Sequence, residues 1–167
     1  MQMDLTFSAD RTLATLDKMA ATAATLLEVA GPAIVGDFHR MEAARFDANG
    51  PGWDPLTPAT VAIKTARGMP QPERILYGQG DLLNSLTGHT EHTVIDIKPD
   101  ELFVGTNVPY AQYHQSGPRV IKVFGKGDAK LPERILVQVS EEDAARWGAI
   151  LSAGLRSTTT IVAEAGV

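Results

Sequence analysis

The 167 residues are long enough for one domain with a sizeable core, and 44% hydrophobic with 21% charged residues is ordinary for a globular protein. No apolar run approaches the roughly 18 residues of a membrane span, and the N-terminus lacks the pattern of a secretory signal, so we expect a cytoplasmic chain that does not enter a membrane. The absence of cysteine excludes disulfides and thiolate chemistry, and the net charge of −5 argues against general affinity for phosphate backbones.

The N-terminal part of the chain predicts a strand followed by a long helical arm. Residues 1–7 alternate between apolar and polar, as in a half-buried strand. Apolar and small residues then recur at helical spacing over residues 13–30. Gly31-Pro32 is expected to break or kink this helix before a second helical piece at residues 34–44. The alanine-rich stripe favours close packing, either on the domain's own sheet or on a neighbouring subunit.

Residues 47–72 are rich in proline and glycine and are predicted to form a surface excursion. One short helix is embedded in it, with Thr57 as cap, Pro58 at its first position and Gly68 after its end. Trp53 is the expected anchor of this excursion. A large ring in a loop either plugs the domain's own core or contributes to a protein interface.

A Gly-x-Gly pattern at Gly78 and Gly80 precedes a short leucine-containing helix that Asp81 is expected to cap. The pattern is a weak indication of a phosphate loop, because no third glycine and no Lys-Ser/Thr ending follow. His89 and His92 stand three apart before a strand, where they would face opposite sides of the sheet. We therefore predict neither a phosphate site nor a metal site here.

A predicted hairpin leads into one aromatic helical turn. Residues 93–97 and 102–104 form its strands, and a Lys-Pro-Asp-Glu turn joins them. Asn107 is the expected cap of the following turn, on which Tyr110, Tyr113 and His114 share one face. Aromatic residues with polar tips more often pack or form interfaces than catalyse, so a structural role is favoured.

The C-terminal third predicts a second strand pair, at residues 120–124 and 134–139, around a loop rich in glycine and lysine. Ser140 and Asp143 then form a capping box at the start of a helix. The buried face of this helix is expected to comprise Trp147, Leu151 and Leu155. A threonine-rich tail follows at residues 157–167.

Together these elements predict an α+β fold. It comprises a long N-terminal helical arm, an antiparallel sheet of four or five strands and a C-terminal helix packed on that sheet. We expect a single domain over residues 1–156, made of the strand and arm (1–46), the loop excursion (47–72) and the sheet with its helix (73–156). Residues 157–167 are expected to be a flexible tail.

The residues suggest two classes of function only weakly, a hydrolase and a nucleic-acid adaptor. A hydrolase would use Ser85 or Ser116 as nucleophile, His114 as base and Asp81 or Asp96 to orient it, but no nucleophile-elbow sequence supports this. We expect no catalytic residues, no cofactor and no metal.

A nucleic-acid adaptor would need four cations on one surface against an acidic background. The cations available are Arg119, Lys122, Lys126 and Lys130.

An ordered series of short motifs runs from the middle of the chain to its C-terminal third, and each motif is unspecific alone. The series resembles the virion morphogenesis or tail-completion proteins of tailed bacteriophages, including the Mu-like ones. It covers roughly residues 33–155. The motifs are Trp53 with Pro55-Leu56, Ile75-Leu76, Gly80 through Leu82-Leu83 and Ser85, Val104-Gly105-Thr106, Tyr110-Ala111, His114-Gln115, Gly117, Leu131-Pro132 with Arg134, and Ser140 through Asp143.

The resemblance implies a structural virion protein, not an enzyme, that acts in tail completion or head–tail joining as a ring-forming neck or terminator component. It implies a homo-oligomeric ring, with a hexamer as the expected copy number, that contacts other neck, connector or tail-tube proteins. The net charge of −5, and not the resemblance, is the reason to expect that DNA would pass through without specific binding. The protein would be found in the virion, at the tail or head–tail junction, and in the host cytoplasm during assembly. A non-ring tail or baseplate assembly protein is the alternative.

Two groups of residues are candidates for contacts in such an assembly. The candidates for packing or interface contacts are Trp53, Leu56, Tyr110, Tyr113, His114 and Arg134. The candidates in mobile segments that order on contact are Gly125, Lys126, Gly127, Lys130, Thr158, Thr159 and Thr160, since such runs bury too little to offset their entropy.

Overall fold

The computed structural model of the chain describes residues 9–88, 90–116, 119–123 and 127–164. Within these residues the chain forms five helices and four strands, which confirms a mixed helical and sheet fold. The elements are α1 (Ala9–Asp47), α2 (Pro58–Ala66), α3 (Asp81–Thr87), β1 (Thr93–Ile97), β2 (Leu102–Thr106), α4 (Ala111–Gln115), β3 (Arg119–Val123), β4 (Gly127–Leu131) and α5 (Glu141–Glu164). The strand predicted at residues 1–7 lies outside the described residues.

The elements fall into two compact units. The first comprises Met1–Ile34, Ile97–Leu102 and Glu142–Val167, and the second comprises Val35–Asp96 and Phe103–Glu141. The prediction of a single domain over residues 1–156 stays a prediction. Over the described part of the chain, no helix is long and apolar enough to cross a membrane.

The first unit is built on close approach of small residues. A Cβ atom added at Gly154 of α5 would lie 3.2 Å from Leu26 Cδ1 and 3.3 Å from Ala30 Cβ, both on α1. A Cβ atom at Gly31 would lie 3.2 Å from the side chain of Ile97. Because glycine and alanine allow this approach, α1 packs on α5 of its own chain around Leu26 and Ala30.

The face of α5 that was predicted to be buried is only partly covered. Trp147 and Leu151 are half-buried, and Leu155 is 40% exposed. The helix continues to Glu164, so it includes Thr158, Thr159 and Thr160 of the predicted tail. Ordering of that tail on assembly stays a prediction.

Helix α1 runs without interruption through Pro32, so the helix does not break there, while a kink at Gly31-Pro32 stays a prediction. An interior proline removes one hydrogen bond and costs about 3 kcal/mol. Residues on both sides of it, Ala30, Ile34 and Val35, are 4–5% exposed. Burial of these apolar side chains offsets the local cost.

The sheet differs from the prediction. The four strands form two separate two-stranded sheets, β1–β2 and β3–β4, and not one sheet of four or five strands. In the second, antiparallel sheet, Arg119 pairs with Leu131 and Val123 pairs with Gly127. Strand β4 therefore includes Gly127 and Lys130, which were predicted to lie in a mobile loop.

The predicted pairing of residues 120–124 with residues 134–139 is also wrong. Residues 134–139 are rich in β-branched side chains, yet they belong to no strand. Their backbone groups form hydrogen bonds with the side chains of Gln115, Trp53 and Arg45 and not with a neighbouring strand.

Two local predictions were correct and two were not. One of the two wrong predictions is the cap of α3, since Gly80 and not Asp81 is its N-cap residue. Helix α2 begins after Thr57, whose hydroxyl accepts a hydrogen bond from the backbone N–H of Thr60 at 3.3 Å. The hairpin of β1 and β2 is present, closed by a bond from Lys98 N to Glu101 O of 2.7 Å. Asn107, in contrast, does not cap α4. Its backbone N–H donates to the carbonyl of His92 at 2.9 Å and so extends the hairpin.

Candidate assembly site formed by Trp53, helix α4 and residues 134–139

The turn that ends α1 leaves space for the Trp53 ring. The N–H of Gly50 donates to Arg45 O at 2.8 Å and that of Asn49 donates to Phe46 O at 3.1 Å, which is the Schellman arrangement of a helix end. Asn49 and Gly50 have φ values of 55° and 81°. A Cβ atom at Gly50 would lie only 1.8 Å from Trp53 Cδ2, so the indole occupies space that only glycine leaves open.

Trp53 anchors the loop after α1. It is 9% exposed, and its ring meets that of Phe46 edge-on at 5.4 Å between centroids. The indole Nε1 donates to the carbonyl of Ile135 at 3.2 Å. Trp53 thus fills a place in its own unit and fixes one backbone group of residues 134–139. Leu56, three residues further on, is half-buried.

Arg134 ties the same loop to α4. Its backbone N–H donates to His114 O at 3.1 Å, and its Nη2 donates to Asp54 O at 3.1 Å. The residue is 6% exposed, and its Nε is buried without a hydrogen-bond partner. Burial lowers the pKa of the guanidinium, while the Asp54 charge acts in the opposite sense. Arg134 therefore joins two surface segments from a largely enclosed position.

Gln115 takes the place of a neighbouring strand. Its Oε1 accepts from the N–H of Leu136 at 2.7 Å and of Val137 at 3.0 Å, and its Nε2 donates to Val137 O at 2.8 Å. Further along, Arg45 Nη2 donates to Gln138 O at 2.9 Å. These side-chain bonds, with that of Trp53, satisfy backbone groups that a ladder would otherwise pair. They explain why a segment with strand composition does not form a strand.

His114 sits against this junction. Its Nδ1 is buried without a hydrogen-bond partner. Burial lowers the pKa of the imidazole below 6.5, and the charge of Arg134 lowers it further. Both effects favour the neutral form of His114 in the folded state over the charged form.

Two aromatic residues at α4 are exposed, Tyr113 within the helix and Tyr110 at its N-cap. Tyr110 and Tyr113, three residues apart, are 44% and 42% exposed. Burial raises the pKa of Tyr110 and the Asp81 charge raises it further, while a hydrogen bond with the backbone of Leu82 lowers it. The Tyr110 phenol thus lies against the first residues of α3, Asp81 and Leu82. We name the exposed surface of Tyr110 and Tyr113 the α4 tyrosine face.

The structure gives Ser85 a structural place. It is 0% exposed, its hydroxyl donates to Leu82 O at 2.9 Å, and it lies 2.7 Å from Thr106 Oγ1. Thr106 Oγ1 also accepts from the N–H of Val108 at 3.1 Å. This chain of bonds joins α3, β2 and the approach to α4, and it leaves the Ser85 hydroxyl out of reach of a substrate. The other suggested nucleophile, Ser116, donates its hydroxyl to Gln112 O at 2.6 Å.

The structure thus brings together three of the six predicted contact residues, Trp53, His114 and Arg134, and places Tyr113 on α4 and Tyr110 at its N-cap. Sequence reasoning missed the role of Gln115, although the residue was part of the motif series, and it missed Arg45 entirely. Nothing in the local sequence marks either one, because their partners lie 22 and 93 residues away.

Some predictions fall outside the described residues. They are Gly125 and Lys126 of the mobile loop, and the side chains of Arg119, Lys122, Lys126 and Lys130 of the nucleic-acid hypothesis. Among the residues that are described, no three His, Asp or Glu side chains form a group suited to a metal ion.

The sequence was compared with known proteins. A sequence model of the phage virion morphogenesis family matches residues 6–156. Neither a curated protein nor a solved structure matches the chain. The match covers most of the 167 residues and spans the whole site described above. The chain therefore belongs to the phage virion morphogenesis family, which gives it a role in the assembly of the phage particle.

Proposed function

We propose that the protein is a ring-forming component of the tail-completion or head–tail joining apparatus. Family membership supports a virion-associated assembly role. The more specific position is supported by the arrangement of α4, whose His114 and Gln115 are hydrogen-bonded to residues 134–137 while Tyr113 and the N-cap residue Tyr110 are exposed.

The observation that carries the proposal is the α4 tyrosine face. Gln115 and His114 fix the helix to residues 134–137 through four hydrogen bonds. Tyr110 and Tyr113 nevertheless keep 44% and 42% of their surface exposed. Tyrosines on a rigid support are typical anchors of protein interfaces, because they bury a large area at a small cost in side-chain entropy.

The proposed partners are further copies of the chain, arranged as a ring, and the neck, connector or tail-tube proteins above and below it. An excess of acidic residues, 20 against 15 basic ones, would let DNA pass through the ring without adhering to its wall. A salt titration of DNA binding tests this point, since a protein that neutralises phosphates loses affinity steeply as salt rises.

The test is complementation of a phage that lacks the protein. Without it, DNA-filled heads and separate or aberrant tails should accumulate, and the unaltered gene product should restore joined particles. The doubly substituted Y110A/Y113A protein should remain folded, because both residues are exposed, but should fail to restore them. The control is I63A on α2, where Ile63 is 45% exposed. Joined particles in the absence of the protein would overturn the proposal.

The mass of the purified protein separates a ring from a non-ring tail or baseplate component. Sedimentation or light scattering should give a closed oligomer, with a hexamer as the expected size. Removal of residues 157–167 should leave the circular dichroism spectrum of the rest unchanged and impair assembly, if that segment contacts a neighbour. A monomer that still complements the phage would favour the non-ring alternative.

A further inference from the structure

Both sheets stop after two strands. In the described part of the chain, β2 pairs only with β1, and β3 pairs only with β4. Each strand of such a pair points every second N–H and C=O group away from its partner. A free edge of this kind is a template for pairing with another chain, and a two-stranded ribbon alone is at most marginally stable.

Two of these strands carry exposed apolar side chains. Phe103 on β2 is 54% exposed and Val120 on β3 is 70% exposed. On β2 the neighbouring position on the same face is Gly105, where an added Cβ atom would lie 3.6 Å from the Phe103 ring. The Phe103 ring therefore spreads over a site without a side chain and forms a flat apolar surface beside the strand edge.

The two hairpins also differ in charge. Residues 119–131 contain four of the 15 basic residues and one acidic residue, which gives a net charge of +3 in a chain of net charge −5. Residues 93–106 contain one lysine and three acidic residues, Asp96, Asp100 and Glu101, which gives −2. All three acidic residues are exposed. The opposite charges of the two hairpins favour contact between one of each kind, and the like charges of two identical hairpins disfavour contact between them.

We propose that β3 of one copy pairs with the free edge of β2 of a neighbouring copy. The product is a four-stranded sheet shared by two subunits, in the order β1, β2, β3 and β4, with Phe103 and Val120 covered at the junction. This pairing rests on the proposed ring and would supply the contact between its subunits. Each copy offers one hairpin and accepts another, and such head-to-tail contacts generate rings when the rotation closes.

The absence of native cysteine permits a direct test with introduced thiols. Phe103 and Val120 are each the second residue of a five-residue strand. If the two strands pair in register, their Cβ atoms are opposite in a parallel pair or diagonal in an antiparallel one. The separation is then at most about 8 Å. A bifunctional thiol reagent of that span should link F103C of one copy to V120C of the next.

The double variant F103C/V120C should give a ladder of linked species up to the copy number of the ring on a denaturing gel. The matched control is I63C/V120C, which carries the same number of thiols and replaces a comparably exposed residue, at 45%. It should stay at the monomer position. F103C alone and V120C alone should also stay there, because a head-to-tail contact does not bring two identical positions together.

The outcomes separate this inference from the ring itself. An oligomer by mass with no ladder from F103C/V120C would overturn the strand pairing and leave the ring standing. Linkage by F103C alone would show a symmetric contact and overturn the head-to-tail arrangement. A ladder that stops at two would support the strand pairing and overturn the ring. A monomer at every concentration, with no linkage, would overturn both.

Discussion

Replacement of Gly50 by alanine tests the account of Trp53 most sharply. Gly50 has a φ of 81°, and an alanine Cβ there would lie 1.8 Å from Trp53 Cδ2. Ordinary contact between carbon atoms requires about 3.5–4.0 Å, so the indole would have to move by about 2 Å. Such a shift would break its bond of 3.2 Å to Ile135 O and its edge-on contact with Phe46.

The expected loss of stability has two parts. The left-handed backbone conformation costs an L-residue about 1–2 kcal/mol. Loss of the hydrogen bond costs about 1 kcal/mol, and loss of the aromatic contact and of close packing brings the second part to about 2–4 kcal/mol. The total is a large share of the roughly 5–15 kcal/mol by which a typical domain is stable.

The matched control is G52A. Gly52 has a φ of 72°, but an added Cβ atom would meet nothing within 4 Å. This variant should show only the backbone part of the cost. Urea unfolding followed by circular dichroism gives both free energies of unfolding, and their difference isolates the contact with Trp53. In a W53A background, G50A should cost no more than G52A. Equal losses for G50A and G52A in the unaltered background would refute the reasoning.

The other predictions concern the remaining hydrogen bonds of the site. Q115A should lower the free energy of unfolding by about 1–3 kcal/mol, because three bonds are exchanged for bonds to water, whereas Q115E keeps the acceptor and should lose less. The pKa of His114 is lowered, first by burial and then by Arg134, so the unfolded state binds a proton more readily than the folded state. The free energy of unfolding should therefore fall as the pH drops below about 6.5 and level off below the pKa of the folded state. Urea titrations at several pH values should show a smaller fall for H114Q. S85A should cost about 1–3 kcal/mol, because it removes a fully buried hydroxyl together with its hydrogen bond to the half-buried Thr106 Oγ1. In a double-mutant cycle the S85A/T106V double variant should cost less than the sum of the single variants.

Short-range patterns were sufficient for several elements. Thr57 and Pro58 predicted the start of α2, because a helix cap depends on residues within one turn of each other. The turn at residues 98–101 predicted the hairpin of β1 and β2 for the same reason. The ordered motif series also indicated the family, which the match over residues 6–156 confirms.

Residues 134–139 show where sequence patterns alone failed. Their β-branched composition describes an extended segment, and β-propensity does not say what will pair with it. The structure supplies Gln115, Trp53 and Arg45 as partners, from positions 22 to 93 residues away. These side chains bond to the backbone groups that a neighbouring strand would otherwise pair. The second strand pair is instead formed by β3 and β4.

The sequence by itself determined the start of α2, the hairpin of β1 and β2, the absence of thiol chemistry and the family, because each depends on residue type and on spacing along the chain. Only the tertiary structure decided that α1 continues through Pro32, that the strands form two separate pairs, and that Ser85 is buried while Tyr110 and Tyr113 are exposed. The physical reason is that burial and hydrogen bonding between distant segments outweigh local propensities of about 1–3 kcal/mol.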